Sequence, residues 1–213
     1  DTTVGAVVGN NTFDAVAYVA DDREFIYNSI DDAVNGDLLS GGGASENDTI
    51  VVGPGTYNES VTVDTANITI EGPYVGIPGD DDTRGSSEAT VNGTIEMDAN
   101  NTTVRGLTVS PATEFNATAS RVAAIFINAN DTLVQNNIVT GVRGNSSVAG
   151  SLSVHGIQIF KQNPDRIGNI TVSNNLIRDI ENAGGSTLPN YGGATGVKIQ
   201  NQVDDIRVDN NTI

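Results

Sequence analysis

An all-β chain wound as a right-handed parallel β-helix is the architecture this sequence predicts, on three observations. First, a short motif recurs: Ile70, Val104, Val134, Val172 and Val208 are each followed two residues later by Gly72, Gly106, Asn136, Asn174 and Asn210. Gly and Asn tolerate φ > 0, so all five copies offer a left-handed bend at one repeated position. Second, an aliphatic pair at alternate positions lies upstream of each bend: Val61/Val63, Ile95/Met97, Ile125/Ile127, Ile157/Ile159 and Val197/Ile199. That is the period of a strand with one buried face. Third, no helix-period pattern separates the copies, which excludes helix-crossover α/β units.

Residues 1–48 are read as an N-terminal cap of strands plus one short helix, with one or two strands within residues 4–20. Asn28 or Ser29 can N-cap the helix, Ile30, Ala33 and Val34 share one of its faces, and Gly36 is placed to stop it. An amphipathic helix over the first coil protects the end of a solenoid. Residues 49–213 are read as about five coils of three short strands, the third strand at Leu107/Val109, Ile138/Val139 and Leu176/Ile177. Asn at the bends can form ladders between coils through side-chain amides. The insertions 73–89, 110–120, 140–153 and 178–194 are expected to leave one corner and build a wall carrying Tyr74, Phe115 and Tyr191. Coil-like sequence runs to Ile213 without a polar cap. The apolar layer of Val197, Ile199 and Val208 is therefore expected to be covered by further coils or by a neighbouring molecule.

Composition narrows the function classes. Asp+Glu number 27 against Lys+Arg 10, giving a net charge of −17, which argues against nucleic acid and anionic membrane as partners. There is no Cys, so disulfides, thiolate metal sites and a cysteine nucleophile are excluded. The longest apolar runs, such as Ala15 to Ala20, are too short to span a bilayer. Acid spread through the chain with only two Lys, Lys161 and Lys198, resembles proteins of salt-loving archaea or their viruses. There, a shortened Debye length makes self-repulsion tolerable. Twelve Asn-X-Ser/Thr acceptors point to an exported, N-glycosylated protein, with Asn47, Asn92, Asn116, Asn130 and Asn145 as the loop candidates.

The segments Tyr27-Asn28-Ser29-Ile30-Asp31-Asp32-Ala33-Val34, Gly55-Thr56-Tyr57-Asn58-Glu59 and Ile68-Thr69-Ile70-Glu71-Gly72 resemble the opening of pectin-lyase-like β-helix proteins. That group includes pectinesterases, NosD-type periplasmic proteins and β-helix surface proteins of haloarchaea. With the later Asn-Asn bends, the resemblance covers roughly residues 25–213. It implies the fold and no single activity, because lyases, hydrolases, esterases and adhesins share it.

Strand alternation puts two columns on the outer side of the first strand of each coil. One runs Thr62, Glu96, Phe126, Gln158, Lys198, and the other Asp64, Asp98, Asn128, Phe160, Gln200. Glu96, Phe126, Gln158, Phe160 and Lys198 are the candidate glycan groove, since aromatic rings stack on sugar faces. Asp64 and Asp98, about one strand spacing apart, have three readings: a solvated acidic face, a pair for glycoside hydrolysis, or, with Glu96, a Ca²⁺ site. Asp80-Asp81-Asp82 is read as solvated. His155, the single histidine, is either a packing residue or a general acid–base. A Gln-Asp-Thr segment and the Asp cluster with a nearby Arg or Lys, which the resembling enzymes use, are both missing; Arg105 and Arg143 fall on other faces. The function expected is a non-catalytic structural or adhesive module, secreted or displayed on a cell or virion surface. Its partners would be a surface glycan, another surface protein subunit or, through the open C-terminal coil, its own kind. The alternative is a polysaccharide lyase or glycoside hydrolase working along the groove.

Overall fold

The computed structural model describes residues 16–20, 23–27, 29–36, 43–112, 115–116, 122–145, 153–161, 165–182 and 193–213, and they form a parallel β-solenoid. A hairpin of β1 (Val16–Ala20) and β2 (Arg23–Tyr27) precedes helix α1 (Ile30–Asn35). The first coil is β3 (Thr49–Val52), β4 (Gly55–Tyr57) and β5 (Val61–Val63), and the second β6 (Thr69–Glu71), β7 (Ala89–Val91) and β8 (Ile95–Met97). The third holds β9 (Thr103–Arg105), β10 (Thr108–Val109), β11 (Phe115–Asn116) and β12 (Ala123–Ile127). The fourth holds β13 (Thr132–Gln135), β14 (Ile138–Val139), β15 (Arg143–Asn145) and β16 (Val154–Lys161). The fifth holds β17 (Ile170–Ser173), β18 (Leu176–Ile177), β19 (Glu181–Asn182) and β20 (Ala194–Asn201), and β21 (Ile206–Asp209) opens a sixth layer.

Equivalent strands stack into sheets. Sheet I is β3-β6-β9-β13-β17-β21, sheet II β4-β7-β10-β14-β18, and sheet III β5-β8-β12-β16-β20. A small sheet IV, β11-β15-β19, lies along the chain between sheets II and III and was not anticipated by the three-strand reading. The coil pairings are parallel, as in Ile70↔Val104 and Val134↔Val172. The N-terminal hairpin instead extends sheet I antiparallel past β3.

Alternation within short strands fills the interior. Ile50, Ile70, Val104, Val134 and Val172 stack in sheet I, while Val61, Ile95, Ile125 and Ile157 face them from sheet III, all buried. Each such side chain contributes about 1.5–3 kcal/mol by leaving water. Helix α1 forms where expected. Ser29 Oγ accepts the Asp32 N–H at 3.1 Å, the Gly36 N–H donates to the Asp32 carbonyl, and Ile30, Ala33 and Val34 are buried. Asn28 and residues 4–15 of the expected cap lie outside the described residues. In the last layers Ile199, Val208 and Ile213 are exposed. No helix among the described residues is long and apolar enough to cross a membrane.

The five bend residues are in register, each donating its N–H to the next coil or lying at the matching place after sheet I. Gly106, Asn136, Asn174 and Asn210 have φ between 52° and 74°. Gly72 does not share the left-handed conformation, which corrects the expectation. Pro73 follows it, and a residue before proline is held toward extended geometry. Glycine is required at 72 for another reason: a Cβ there would fall on the Gly106 carbonyl.

The amide ladder sits one residue beyond the bend. Asn137 Oδ1 accepts the Leu107 N–H at 3.0 Å, Asn175 Oδ1 accepts the Asn137 N–H at 2.9 Å, and Asn211 Oδ1 accepts the Asn175 N–H at 2.9 Å. The Nδ2 groups of these three donate to the carbonyls of Val104, Val134 and Val172. Backbone groups that the tight corner cannot pair are thereby satisfied.

A second left-handed corner precedes sheet I. Asn47, Asn67, Asn101, Asp131, Asn169 and Asp205 occupy it with φ from 49° to 76°, and Asn101 Nδ2 donates to Asn67 Oδ1 as Asn169 Nδ2 does to Asp131. Two residues on, Thr49, Thr69, Thr103 and Thr171 lie in one column of sheet I, with Leu133 at the fourth coil.

The insertions do not share a corner. Residues 73–88 leave between sheets I and II, whereas 110–120, 140–153 and 178–194 leave between sheets II and III, where parts of them pair as sheet IV. Tyr74 is therefore beside the bend residues rather than beside sheet III. Tyr191 lies outside the described residues.

Candidate functional site

The two columns predicted on the outer side of sheet III assemble as expected. Thr62 pairs with Glu96, Glu96 with Phe126, Phe126 with Gln158 and Gln158 with Lys198. Phe160 pairs with Gln200, and the Asp98 N–H donates to the Val63 carbonyl at 2.9 Å, placing Asp98 one coil beyond Asp64.

What the columns offer differs from an open groove. Phe126 is only 5% exposed, and Asn128 is also buried, so the middle of the face is covered and the ring is not available to a sugar. The Asn128 amide nitrogen donates to Asp98 Oδ1 at 2.6 Å and to Glu96 Oε1 at 3.0 Å, and Lys161 Nζ donates to the Asn128 backbone carbonyl at 2.9 Å. The amide thus ties the third coil to the acids of the second, and the ammonium ties the fourth coil to the third. Asp64 remains exposed, with the Thr65 hydroxyl at 3.5 Å. Among the described residues no three His, Asp or Glu side chains gather as a cation site, so Asp64, Glu96 and Asp98 do not form the cluster that the Ca²⁺ reading needs. Gln158, Phe160 and Lys198 are half-buried and Gln200 is exposed. The accessible part of the face is therefore its fourth- and fifth-coil portion.

His155 is the second residue of β16 and is 5% exposed, with Nδ1 lacking a hydrogen-bond partner among the described residues. Burial holds its pKa below the ordinary value of 6.5, and the nearby positive charge of Lys198 pushes the same way. Among the described residues no carboxylate hydrogen-bonds its Nδ1, and an orienting partner of that kind is what a general base needs. In the Asp80-Asp81-Asp82 run, Asp81 accepts from the Thr83 hydroxyl and N–H, which lower its pKa; Asp80 accepts from Thr212.

The proposed glycan acceptors fall into distinct settings. Asn47 is exposed. Asn92 Nδ2 donates to Asn58 Oδ1 at 2.9 Å, and Asn130 Nδ2 donates to Asn100 Oδ1 while its own Oδ1 accepts the Gly168 N–H. Asn116 and Asn145 pair in sheet IV, and their side chains lie outside the described residues. The sequons at Asn47, Asn67, Asn101 and Asn169 each combine a left-handed corner Asn with the outward Thr of sheet I. The repeat of the fold itself writes that tripeptide.

Two structural residues escaped the sequence reading. Glu59 reaches back from the β4–β5 turn to α1, where its carboxylate accepts the N–H groups of Ile30 and Asp31 at 2.8 and 2.9 Å and the Ser29 hydroxyl at 2.6 Å. Arg84 is buried in the first insertion against Glu88 at 2.8 Å. An Arg four residues before a Glu, in a chain so poor in bases, was the available signal. No family model, no curated protein and no solved structure matches this chain.

Proposed function

We propose that the protein is a non-catalytic structural or adhesive β-helix module, secreted or surface-displayed and adapted to high salt. The observation that carries this reading is the use of the candidate acids: the Asn128 amide occupies Glu96 and Asp98 together, and Phe126 beside them is buried. Groups engaged in linking coils stiffen the solenoid and present no acid–base pair to a substrate. The exposure of Gln200, with Gln158, Phe160 and Lys198 half-buried next to it, supports adhesion to a glycan at that end of sheet III. The acidic balance of −17 supports a high-salt setting.

The test is an assay of reducing ends and unsaturated products on a polysaccharide panel, with and without Ca²⁺, alongside a binding measurement on the same glycans. Binding without turnover, weakened by Lys198→Ala, is the expected result. Turnover that Asp98→Asn abolishes would replace this reading with the polysaccharide-active enzyme.

A further inference from the structure

We propose that residues 73–88 are a longitudinal strap that couples the second to sixth layers of the solenoid, so that layers distant from the insertion in sequence open together with it. A solenoid ordinarily has only nearest-neighbour interfaces, and can fray layer by layer from an end. This insertion breaks that rule. It leaves the second coil after Gly72 and runs along the column of bends.

In the third coil the Tyr74 N–H donates to the Gly106 carbonyl at 3.4 Å, and a Cβ on Gly106 would strike the backbone of Tyr74 and Val75. In the fourth, Asn136 Nδ2 donates to the Val75 carbonyl. In the fifth, the Gly79 N–H donates to the Asn174 carbonyl at 2.8 Å. At the sixth, the Thr212 hydroxyl donates to Asp80.

The return limb is fastened by Arg84, whose side chain is 4% exposed. Its Nη1 donates to the Asn136 carbonyl at 2.6 Å and its Nε and Nη2 to Glu88 at 2.9 and 2.8 Å, while the guanidinium lies 4.8 Å from the centre of the Tyr74 ring. Thr108 of sheet II donates to the same Glu88 carboxylate at 2.9 Å. A buried fork bonded through Nε, Nη1 and Nη2 is screened little by salt, so the fastening persists where exposed ion pairs are weakened.

Peptide-resolved hydrogen exchange on the full chain tests the strap, comparing wild type with Arg84→Ala and, as a control, Arg105→Ala. Arg105 pairs with Glu71, linking the third coil to the second only. In Arg84→Ala, amides of Leu176–Ile177 and Ile206–Asp209 are expected to exchange about tenfold faster, although Arg84 touches neither, while those of Val61–Val63 keep their rates. Faster exchange confined to residues 132–139, an equal change in all layers, or the same far spread in Arg105→Ala would overturn the proposal. Should Arg84→Ala fail to fold, Arg84→Lys keeps a charge beside Glu88 but loses the fork. Unchanged far-layer exchange in that variant overturns the strap, and faster exchange there supports it.

Discussion

His155 shows how one side chain couples this fold to pH. Its pKa is below 6.5 in the native state because burial, helped by Lys198, disfavours the imidazolium. As pH falls through 6.5, the unfolded chain binds a proton that the native state does not, so stability present above that value is lost on acidification toward the lowered native pKa. Melting temperature should therefore fall between about pH 7.5 and about pH 5.5, and His155→Gln should flatten the fall. Equal slopes in the two proteins would show that other groups set it. Also at the residue scale, Asn47 is exposed, whereas Asn92 and Asn130 use their amide nitrogens on neighbouring coils. Glycopeptide mass analysis of native material should find Asn47 occupied ahead of those two; glycan on Asn92 and Asn130 with a bare Asn47 would contradict that order.

At the scale of elements, α1 has only six residues and could not persist alone. Its buried face and the Glu59 carboxylate on its first turn hold it on the first coil. Glu59→Ala leaves the Ile30 and Asp31 N–H groups without that acceptor and should cost about 1.5–3 kcal/mol in denaturant unfolding. Glu59→Gln should recover part of this, since one amide oxygen can still accept. The amide ladder makes a sharper case. Asn137→Ala strands the buried Leu107 N–H and the Val104 carbonyl, at about 1–3 kcal/mol for each unsatisfied group. A measured loss under about 1 kcal/mol would mean that water or a shifted corner replaces the amide.

The whole molecule is set by repetition and by charge. With −17 over 213 residues, lowering the salt from about 1 M to about 0.01 M lengthens the Debye length from about 3 Å to about 30 Å and lets the carboxylates repel across coils. Melting temperature is expected to fall over that range, and an unchanged value would remove the support that composition lends to a high-salt setting. The repeat was readable because each coil obeys the same two local rules, an inward aliphatic at alternate positions and a residue tolerant of φ > 0 at the corner. The second corner was hidden in plain view: at Asn67, Asn101 and Asn169 a left-handed corner Asn followed by an outward Thr spells the same tripeptide as a glycan acceptor. Gly72 misled in the opposite sense, since glycine there answers a close approach to Gly106 and not a left-handed bend.

By itself, the sequence determined the solenoid, the register of its bends, the cap helix with its buried Ile30, Ala33 and Val34, and the order of the columns on sheet III. These follow from local period and backbone preference, which are properties of neighbouring residues. Only the tertiary structure decided what those columns expose: that Phe126 is covered, that Asn128 joins Glu96 to Asp98, and that Arg84 of one coil reaches the Asn136 carbonyl of another. Burial and pairing between coils depend on where insertions of unequal length cross the stack. No local rule encodes that path, because the groups it brings together lie far apart in sequence: 30 residues for Asn128–Asp98, 61 for Asn136–Val75 and 132 for Thr212–Asp80.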